Sequence, residues 1–274
     1  MSWFTDRHCY LLAVLFFGVS MIYSFFLWRK GFREDNRINY LLLLAGFIMN
    51  MTALYLRGAR FGRCPTTNLY EAMTFVTWTL LAVYLAFGLW TRLRFLGAFA
   101  SPFLFAMGTF ALMPGLDLHN PERSSGITDL HAALSLLSYG AFGLSAVAAS
   151  MYISQERNLK LHKMRAVFSM MPPMERLEKV MSRLLLGGFV LLTAGLAVSP
   201  FLMKERYGVY ITDNPEIAPK LIWSAVVWLI YGTLLVLHGR FSQTGRRFAY
   251  GSVGSFIFVL LTFWGVSLLS TGHR

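Results

Sequence analysis

Long apolar runs follow one another along the whole chain, separated by short polar segments. A helix needs roughly 20 predominantly apolar residues to cross a bilayer. Eight runs reach about that length and predict eight transmembrane helices, at residues 9–28, 38–56, 70–91, 95–113, 130–153, 184–203, 220–239 and 249–271. No connecting segment is long enough to form a second domain. The pattern therefore predicts a single all-α transmembrane domain over residues 1–274.

The composition agrees with lipid as the main solvent. Hydrophobic residues make up 56% of the 274 positions and charged residues 14%, whereas a soluble domain has about 25% charged residues. No small-residue cleavage site accompanies the first apolar run, so we expect the chain to keep this span. Cys9 and Cys64 are the only cysteines, which supports neither a disulfide scaffold nor a cysteine zinc site.

The basic residues predict how the chain is oriented. Sixteen of the 25 Lys and Arg residues lie in one set of loops and nine in the other, so we expect the first set to face the cytoplasm and both termini to lie outside. The same bias explains the net charge of +12 without nucleic-acid binding. In the longest inner connection, 156–183, Pro172 and Pro173 should stop a helix, and "MERLEKVMSR" predicts an interfacial helix leading into span six.

Span five carries a polar stripe. At about 100° per residue, one face of the helix holds His131, Ser135, Ser138, Phe142 and Ser145. Polar groups avoid lipid, so this face should meet either a neighbouring helix or a cavity. In the first case the serines mediate helix packing and His131 is solvated at the interface.

Span seven has a comparable face, with Trp228, Tyr231, Leu235 and His238. Trp228 lies near mid-span, which a belt of interfacial aromatic residues does not explain. His238 fits either a snorkelling interfacial residue or a ligand, and His273 fits either a frayed tail or a ligand. Two imidazoles from separate helices can hold haem iron axially. Their positions alone do not distinguish haem from another ligand.

The segment "RGARFGRCPTTNLYEAMTFVTW", residues 57–78, leads into span three from outside. Asn68 and Glu71 have the spacing of a capping box, which is a structural reason for both. Arg57, Arg60 and Arg63 could instead be cationic partners for carboxylates such as haem propionates. The two cysteines fall on this oxidising side, where a disulfide can form, but their spacing does not establish one.

Four segments resemble the cytochrome c assembly protein family, in its CcsA-like branch. "CPTTNLYEAMTFVTW" is similar to that family's P-x-S-N-L-Y-E-S, and "LHAALSLLSYG" to its L-H-V-S-M-M-x-L-S-Y-A. "PKLIWSAVVWLIYGTLLVLHGR" resembles P-K-E-T-W-A-L-I-T-W-L-I-Y…L-H-T-R, and "FWGVSLLSTGHR" resembles F-G-V-N-x-L-G-x-G-L-H-S-Y. The resemblance extends from about residue 60 to the end of the chain.

The resemblance implies a haem-handling protein of the bacterial inner membrane that presents non-covalent b-type haem at the outer face for cytochrome c assembly. His131 and His273 match the outer haem ligands, and His238 matches an inner histidine linked to haem passage or an internal site. Trp223, Trp228 and Tyr231 match the aromatic positions of the same motif. The implied partners are a CcsB- or ResB-like membrane protein and apocytochrome c. Any enzymatic role would be at most the haem-presenting component of a cytochrome c synthase.

One segment departs from the family pattern. The family's outer loop before span seven reads W-G-x-Y-W-x-W-D-P-K-E, whereas here the stretch is "YGVYITDNPEIAPKLIW". Tyr207 and Tyr210 keep aromatic positions, but the tryptophans and the Asp are missing. The departure favours an alternative, a HemX-like non-catalytic membrane modulator of haem biosynthesis. A transporter ranks last, because the spans contain serines and few charges.

Overall fold

The structure is a computed structural model, and it describes residues 5–30, 36–65, 68–89, 94, 96–117, 126–160, 173–207, 218–240 and 245–271. Within these ranges all regular secondary structure is helical. The helices are α1 (Asp6–Lys30), α2 (Arg37–Phe61), α3 (Leu69–Gly88), α4 (Leu96–Ala111), α5 (Gly126–Lys160), α6 (Met174–Tyr207), α7 (Ala218–Arg240) and α8 (Gly245–Thr271). Each helix contains most of one predicted apolar run, so the all-α prediction is confirmed.

Six helices are long and apolar enough in their described residues to cross a membrane. The qualifying stretches are Asp6–Leu27, Arg37–Phe61, Leu69–Ala86, Gly126–Arg157, Met174–Glu205 and Leu221–Arg240. The apolar helix α4 is shorter, with 16 residues and Pro102 inside it. The chain is therefore a multi-pass membrane protein.

The connection into α6 differs from the prediction. Residues 174–183 do not form a separate interfacial helix, because α6 is continuous from Met174 to Tyr207. The carbonyl of Pro173 accepts the first hydrogen bonds of α6, from Arg176 N–H at 2.8 Å and Leu177 N–H at 3.2 Å. A proline just outside a helix start costs little, since its missing N–H would have no intrahelical partner there.

Helix α5 lies at the centre of the packing. It packs most extensively against α6 and also contacts α3, α4 and α8, whereas α1, α2 and α4 form a neighbouring group. In the apolar stretch of α5, 72% of the residues are buried, against 17% in that of α7. Helix α7 is therefore peripheral and shows most of its surface to lipid.

Buried polar side chains connect the N-terminal helices. Ser24 on α1 and Ser101 on α4 bond through their hydroxyls at 2.9 Å. Farther along α2, Asn50 Nδ2 donates to Thr77 Oγ1 at 3.3 Å, and Thr77 Oγ1 lies 3.4 Å from Tyr10 Oη. An unpaired polar group is costly in lipid, so these bonds favour one arrangement of the helices.

The predicted orientation can be checked with reporter fusions. A reporter that is active only outside the cytoplasm should be active after Arg274 and silent within residues 161–172, because the basic residues concentrate in the second region. A fusion within residues 118–125 is the positive control, because a single crossing by α5 separates it from the α5–α6 connection. The opposite pattern would invert the assignment of inner and outer faces.

Candidate functional site

His131 lies in the second turn of α5, where that helix packs against the C-terminal half of α6. Its Nδ1 lies 2.8 Å from the backbone oxygen of Gly195. A carbonyl oxygen only accepts hydrogen bonds, so Nδ1 carries the proton and donates. In a neutral imidazole this leaves the lone pair on Nε2. Metal-binding histidines commonly make this second hydrogen bond to a backbone carbonyl, which fixes the tautomer and the ring orientation.

The serine stripe below His131 faces a helix partner rather than a cavity. Ser145 Oγ donates to the carbonyl of Met181 on α6 at 3.0 Å and lies 3.1 Å from Ser252 Oγ on α8. Ser135 lies against Gly195, where an added Cβ would be 3.1 Å from its hydroxyl oxygen. Of the two alternatives for this face, the structure supports helix packing for the serines. His131 is half-buried above them.

The aromatic residues of α7 also make interhelical contacts. Trp223 Nε1 donates to Thr262 Oγ1 at 2.7 Å, and Trp228 Nε1 donates to Thr193 Oγ1 at 3.0 Å. The fully buried Tyr231 ring stacks on Phe142 with centroids 3.6 Å apart. These contacts explain why Trp228 can lie near mid-span, because a neighbouring helix satisfies its indole N–H.

A small cleft of about 240 Å³ lies between the C-terminal half of α6 and the N-terminal half of α7. Its lining consists of Leu196, Ser199, Pro200, Met203, Leu221, Ser224 and Ala225. Because Pro200 has no N–H, the carbonyl of Leu196 lacks its usual intrahelical donor. Ser199 lies one helical turn after Gly195, so the cleft begins one turn from the His131 contact. Its walls are mainly apolar, as the surroundings of a macrocycle would require.

The C-terminal end of α2 carries a buried ion cluster around Arg57. Its Nε donates to Glu71 on α3 at 2.8 Å, and its Nη1 donates to Asp6 on α1 at 2.7 Å. Its Nη2 donates to Asp117, in the segment after α4. Arg57 and Asp6 are each 5% exposed and Glu71 is fully buried. The cluster therefore holds together α1, α2, α3 and the chain after α4.

The remaining residues of the predicted arginine site surround this cluster. Arg63 donates to Glu71 at 3.1 Å, whereas Arg60 is 64% exposed and lies 3.7 Å from Asp6. Asn68 Oδ1 accepts the backbone N–H of Glu71 at 2.8 Å, as the capping prediction requires. The Glu71 carboxylate, however, bonds the two arginines.

This arrangement alters the proposed role of the arginines. Carboxylates of the protein itself occupy the donors of Arg57 and bond Arg63, so a propionate would have to compete with them. Arg60 is the most accessible of the three. Sequence reasoning missed Asp6 and Asp117, because the predicted apolar run at 38–56 places Arg57 in a loop. In the structure Arg57 lies within α2, where a buried arginine needs carboxylate partners.

Neither cysteine forms a disulfide in the structure. Cys9 is buried in α1, and Cys64 is half-buried just after α2. Burial raises the pKa of the Cys64 thiol, and the nearby carboxylates of Asp129 and Glu71 raise it further. The thiol form is therefore favoured at neutral pH, and Cys64 is a poor nucleophile.

His238 lies at the opposite end of the bundle from His131, near the C-terminal end of α7. Its ring stacks on Phe248 of α8 with centroids 3.9 Å apart, and its Nε2 is 3.8 Å from Glu178 Oε1 on α6. A cavity of about 360 Å³ adjoins it. The two histidines therefore belong to separate sites.

Three predicted residues add little to this geometry. Tyr207 is the last residue of α6, and Tyr210 and His273 lie outside the described residues. The pairing of His131 with His273 accordingly stays a prediction.

Comparison with known proteins identifies the family of the chain. The family described as "Cytochrome C assembly protein" matches residues 66–273. The chain belongs to this family. Among the similar proteins, the cytochrome c biogenesis protein CcsA of Trieres chinensis is 26% identical over 301 aligned positions, covering 96% of this chain and 92% of the relative. The CcsA protein of Guillardia theta is also 26% identical, with 88% and 87% covered. Protein HemX of Brevibacillus brevis is 24% identical, with 97% of each chain covered.

The family match includes the three candidate histidines and begins after Arg57, Arg60 and Arg63, whereas Glu71 and Asp117 of the ion cluster fall inside it. His131, His238 and His273 fall inside residues 66–273. Helices α1 and α2, which carry Asp6 and Arg57, precede the matched region. The alignments with CcsA of Trieres chinensis and HemX of Brevibacillus brevis nonetheless extend over these helices, because they cover 96% and 97% of this chain.

Proposed function

We propose that this protein binds haem near the outer face of a bacterial inner membrane and presents it for cytochrome c assembly. The observation that carries the proposal is the hydrogen bond from His131 Nδ1 to the carbonyl of Gly195, at 2.8 Å. It leaves Nε2 as the atom able to ligate iron. The described residues contain no group of three or more His, Cys, Asp or Glu side chains for a bare metal ion. A macrocycle that carries its own iron needs only one or two axial ligands.

In this proposal His131 and His273 would hold the haem iron, and the haem would be bound non-covalently as b-type haem. The apolar cleft between α6 and α7 begins one turn from the His131 contact and offers a wall for the macrocycle. Arg60 is the accessible cation for a propionate. The aromatic residues of α7 contribute indirectly, by holding this helix in place. Trp223 bonds α8, Trp228 bonds α6, and Tyr231 stacks on α5.

Haem supplies the vinyl groups to which the cysteines of an apocytochrome add. The protein contributes positioning, which can account for a large part of a barrier when two reactants are held in register. His131 would hold the ring at one angle, since its tautomer and orientation are fixed by the Gly195 carbonyl. A CcsB- or ResB-like membrane protein and apocytochrome c are the proposed partners, the latter by analogy with relatives named for cytochrome c biogenesis.

A second candidate is a HemX-like modulator of haem biosynthesis. Two observations favour it: the relative named HemX aligns over 97% of both chains, and residues 207–223 lack the tryptophans of the family's outer loop. Both candidates bind haem, so a haem spectrum alone does not separate them.

One experiment addresses both candidates. The full chain is purified in detergent for an absorption spectrum, and it is expressed in a bacterium that lacks its own CcsA-type protein. A haem spectrum together with restored cytochrome c supports the first proposal. A haem spectrum without restoration, accompanied by changed levels of tetrapyrrole enzymes, supports the second. Absence of haem from protein that is folded and inserted would contradict both.

A further inference from the structure

A cavity of about 360 Å³ lies between the inner ends of α6 and α7. Its lining residues are Glu175, Glu178, Lys179, Ser182, Arg183 and His238. Five of the six come from one face of α6, and His238 closes the side toward α7. The volume is in the range of small-ligand sites, which is roughly 300–1,000 Å³.

The depth of the cavity is set by the sequence of α6. Arg183 is the last charged residue before the apolar run of residues 184–203. The polar lining therefore ends where the hydrocarbon region begins, at the level at which phospholipid headgroups meet their acyl chains.

The charges of the cavity are only partly paired with each other. Lys179 Nζ bonds Glu175 Oε1 at 2.6 Å, one turn away on α6. Arg183 makes no ion pair with any described residue and is exposed. The Glu178 carboxylate lies 3.8 Å from His238 Nε2, which is too long for a hydrogen bond. The Arg183 guanidinium and the Glu178 carboxylate, whose contact with His238 is only a 3.8 Å ion pair, therefore lie on the same wall.

An exposed apolar strip of α6 continues from this cavity toward the middle of the helix. One turn beyond Arg183, a Cβ added at Gly187 would meet open space. Leu186 and Val190 beside it are 53% and 59% exposed. The surface of α6 therefore changes within one turn from charged side chains to exposed apolar ones.

We propose that this cavity and the apolar strip beside it bind an aminophospholipid. Arg183 and Ser182 hold the phosphate, Glu178 holds the primary ammonium, and an acyl chain lies along Gly187, Leu186 and Val190. Arginine suits phosphate because its planar guanidinium donates two parallel hydrogen bonds. An exposed arginine close to a carboxylate matches a zwitterionic headgroup better than a purely anionic one. The bound lipid would support α7, which buries little of itself. This inference does not rest on the proposed haem function.

The test uses the full chain in nanodiscs of phosphatidylcholine alone or mixed with phosphatidylethanolamine or phosphatidylglycerol. Native mass spectrometry counts the lipids that remain bound after mild activation. We expect phosphatidylethanolamine to be retained in preference to the other two. Arg183→Gln should weaken its retention about tenfold, because a charge-assisted phosphate contact is lost. Gly187→Leu, which adds a bulky side chain to the apolar strip, should weaken the retention of phosphatidylethanolamine as well.

Two matched variants control for charge and for bulk. Arg176→Gln removes an exposed arginine of α6 that does not line the cavity, and Gly254→Leu fills an open position on α8 instead of one on the apolar strip. Both should retain the lipid as the unaltered protein does. Equal retention of all three lipids would overturn the proposal. It would also be overturned if inorganic phosphate displaced the lipid, which indicates a free-phosphate site, or if haem displaced it one for one, which assigns the cavity to the macrocycle.

Discussion

Replacing His131 with asparagine should remove haem binding at the outer site while leaving the helix packing intact. The amide nitrogen of asparagine occupies nearly the position of Nδ1, so it can still donate to the carbonyl of Gly195. The nitrogen corresponding to Nε2 is absent. Loss of an outer-shell partner alone costs roughly 10–100-fold in metal affinity, and loss of the ligand should cost at least as much. Haem occupancy and the low-spin spectrum of the purified protein report this directly.

His131→Ala distinguishes a ligand from a packing residue. The smaller side chain of His131→Ala leaves a space into which free imidazole can bind, so added imidazole should partly restore the spectrum of this variant. The restoration should be smaller in His131→Asn, because the asparagine side chain fills that space. His273→Ala should lower occupancy in the same way if it supplies the second ligand. His8→Ala is the control, because His8 is exposed near the start of α1 and its Nδ1 lies 2.5 Å from Thr5 Oγ1.

Either of two results would contradict the outer site. Unchanged spectra in both His131 variants would leave His131 as a packing residue that bonds Gly195. The same conclusion would follow if His131→Asn lowered the yield of folded protein while the remaining folded fraction kept its haem. Neither result would bear on the lipid site, which lies at the opposite end of α6 and is read from lipid retention.

The helices could be predicted from sequence because lipid imposes a strict rule on the backbone. Every N–H and C=O in the hydrocarbon region needs an internal partner, so a long apolar run becomes a helix. The run at 38–56 accordingly lies within α2, from Arg37 to Phe61. The rule does not fix where a helix ends in water. The stretch 174–183 is polar enough for a surface helix, yet it continues into α6 because no helix breaker separates the two.

Contacts between distant residues account for what the sequence did not predict. The polar face of α5 was evident from periodicity, but its partner, α6, was not. Gly188 shows why: an added Cβ there would lie 2.6 Å from the Phe142 ring, so the two helices approach closely only because this residue lacks a side chain. A glycine in an apolar run gives no sign of which helix it faces.

The three arginines at positions 57, 60 and 63 show this limit of sequence reasoning more clearly. Arg57, Arg60 and Arg63 are neighbours in sequence and looked like one cationic site. Their surroundings differ, since Asp6 and Asp117, 51 and 60 positions from Arg57, both accept hydrogen bonds from that residue, whereas Arg60 only approaches Asp6 at 3.7 Å. Reading the three as equivalent was wrong about their environments. Only the tertiary fold distinguishes the buried Arg57 from the exposed Arg60.

Replacing Arg57 with glutamine should destabilise the protein by about 3–5 kcal/mol, the usual cost of removing one partner from a buried ion pair. Glu71 keeps Arg63 at 3.1 Å, so most of the cost should fall on Asp6 and Asp117. The free energy of unfolding in detergent, from a denaturant titration, measures it. Arg60→Gln is the matched control. Because Arg60 is 64% exposed, its loss should change stability by no more than about 0.5 kcal/mol.

A second substitution identifies the cause of the loss. In the Arg57→Gln background, Asp6→Asn should restore part of the stability, because it removes a buried charge that has lost its partner. In the unaltered protein Asp6→Asn should be destabilising, because Arg57 then loses one of its carboxylates. This reversal of sign requires direct coupling between the two side chains. If Arg57 served chiefly as a propionate partner, Arg57→Gln and Arg60→Gln would instead have similar small effects on stability, and both would lower haem occupancy.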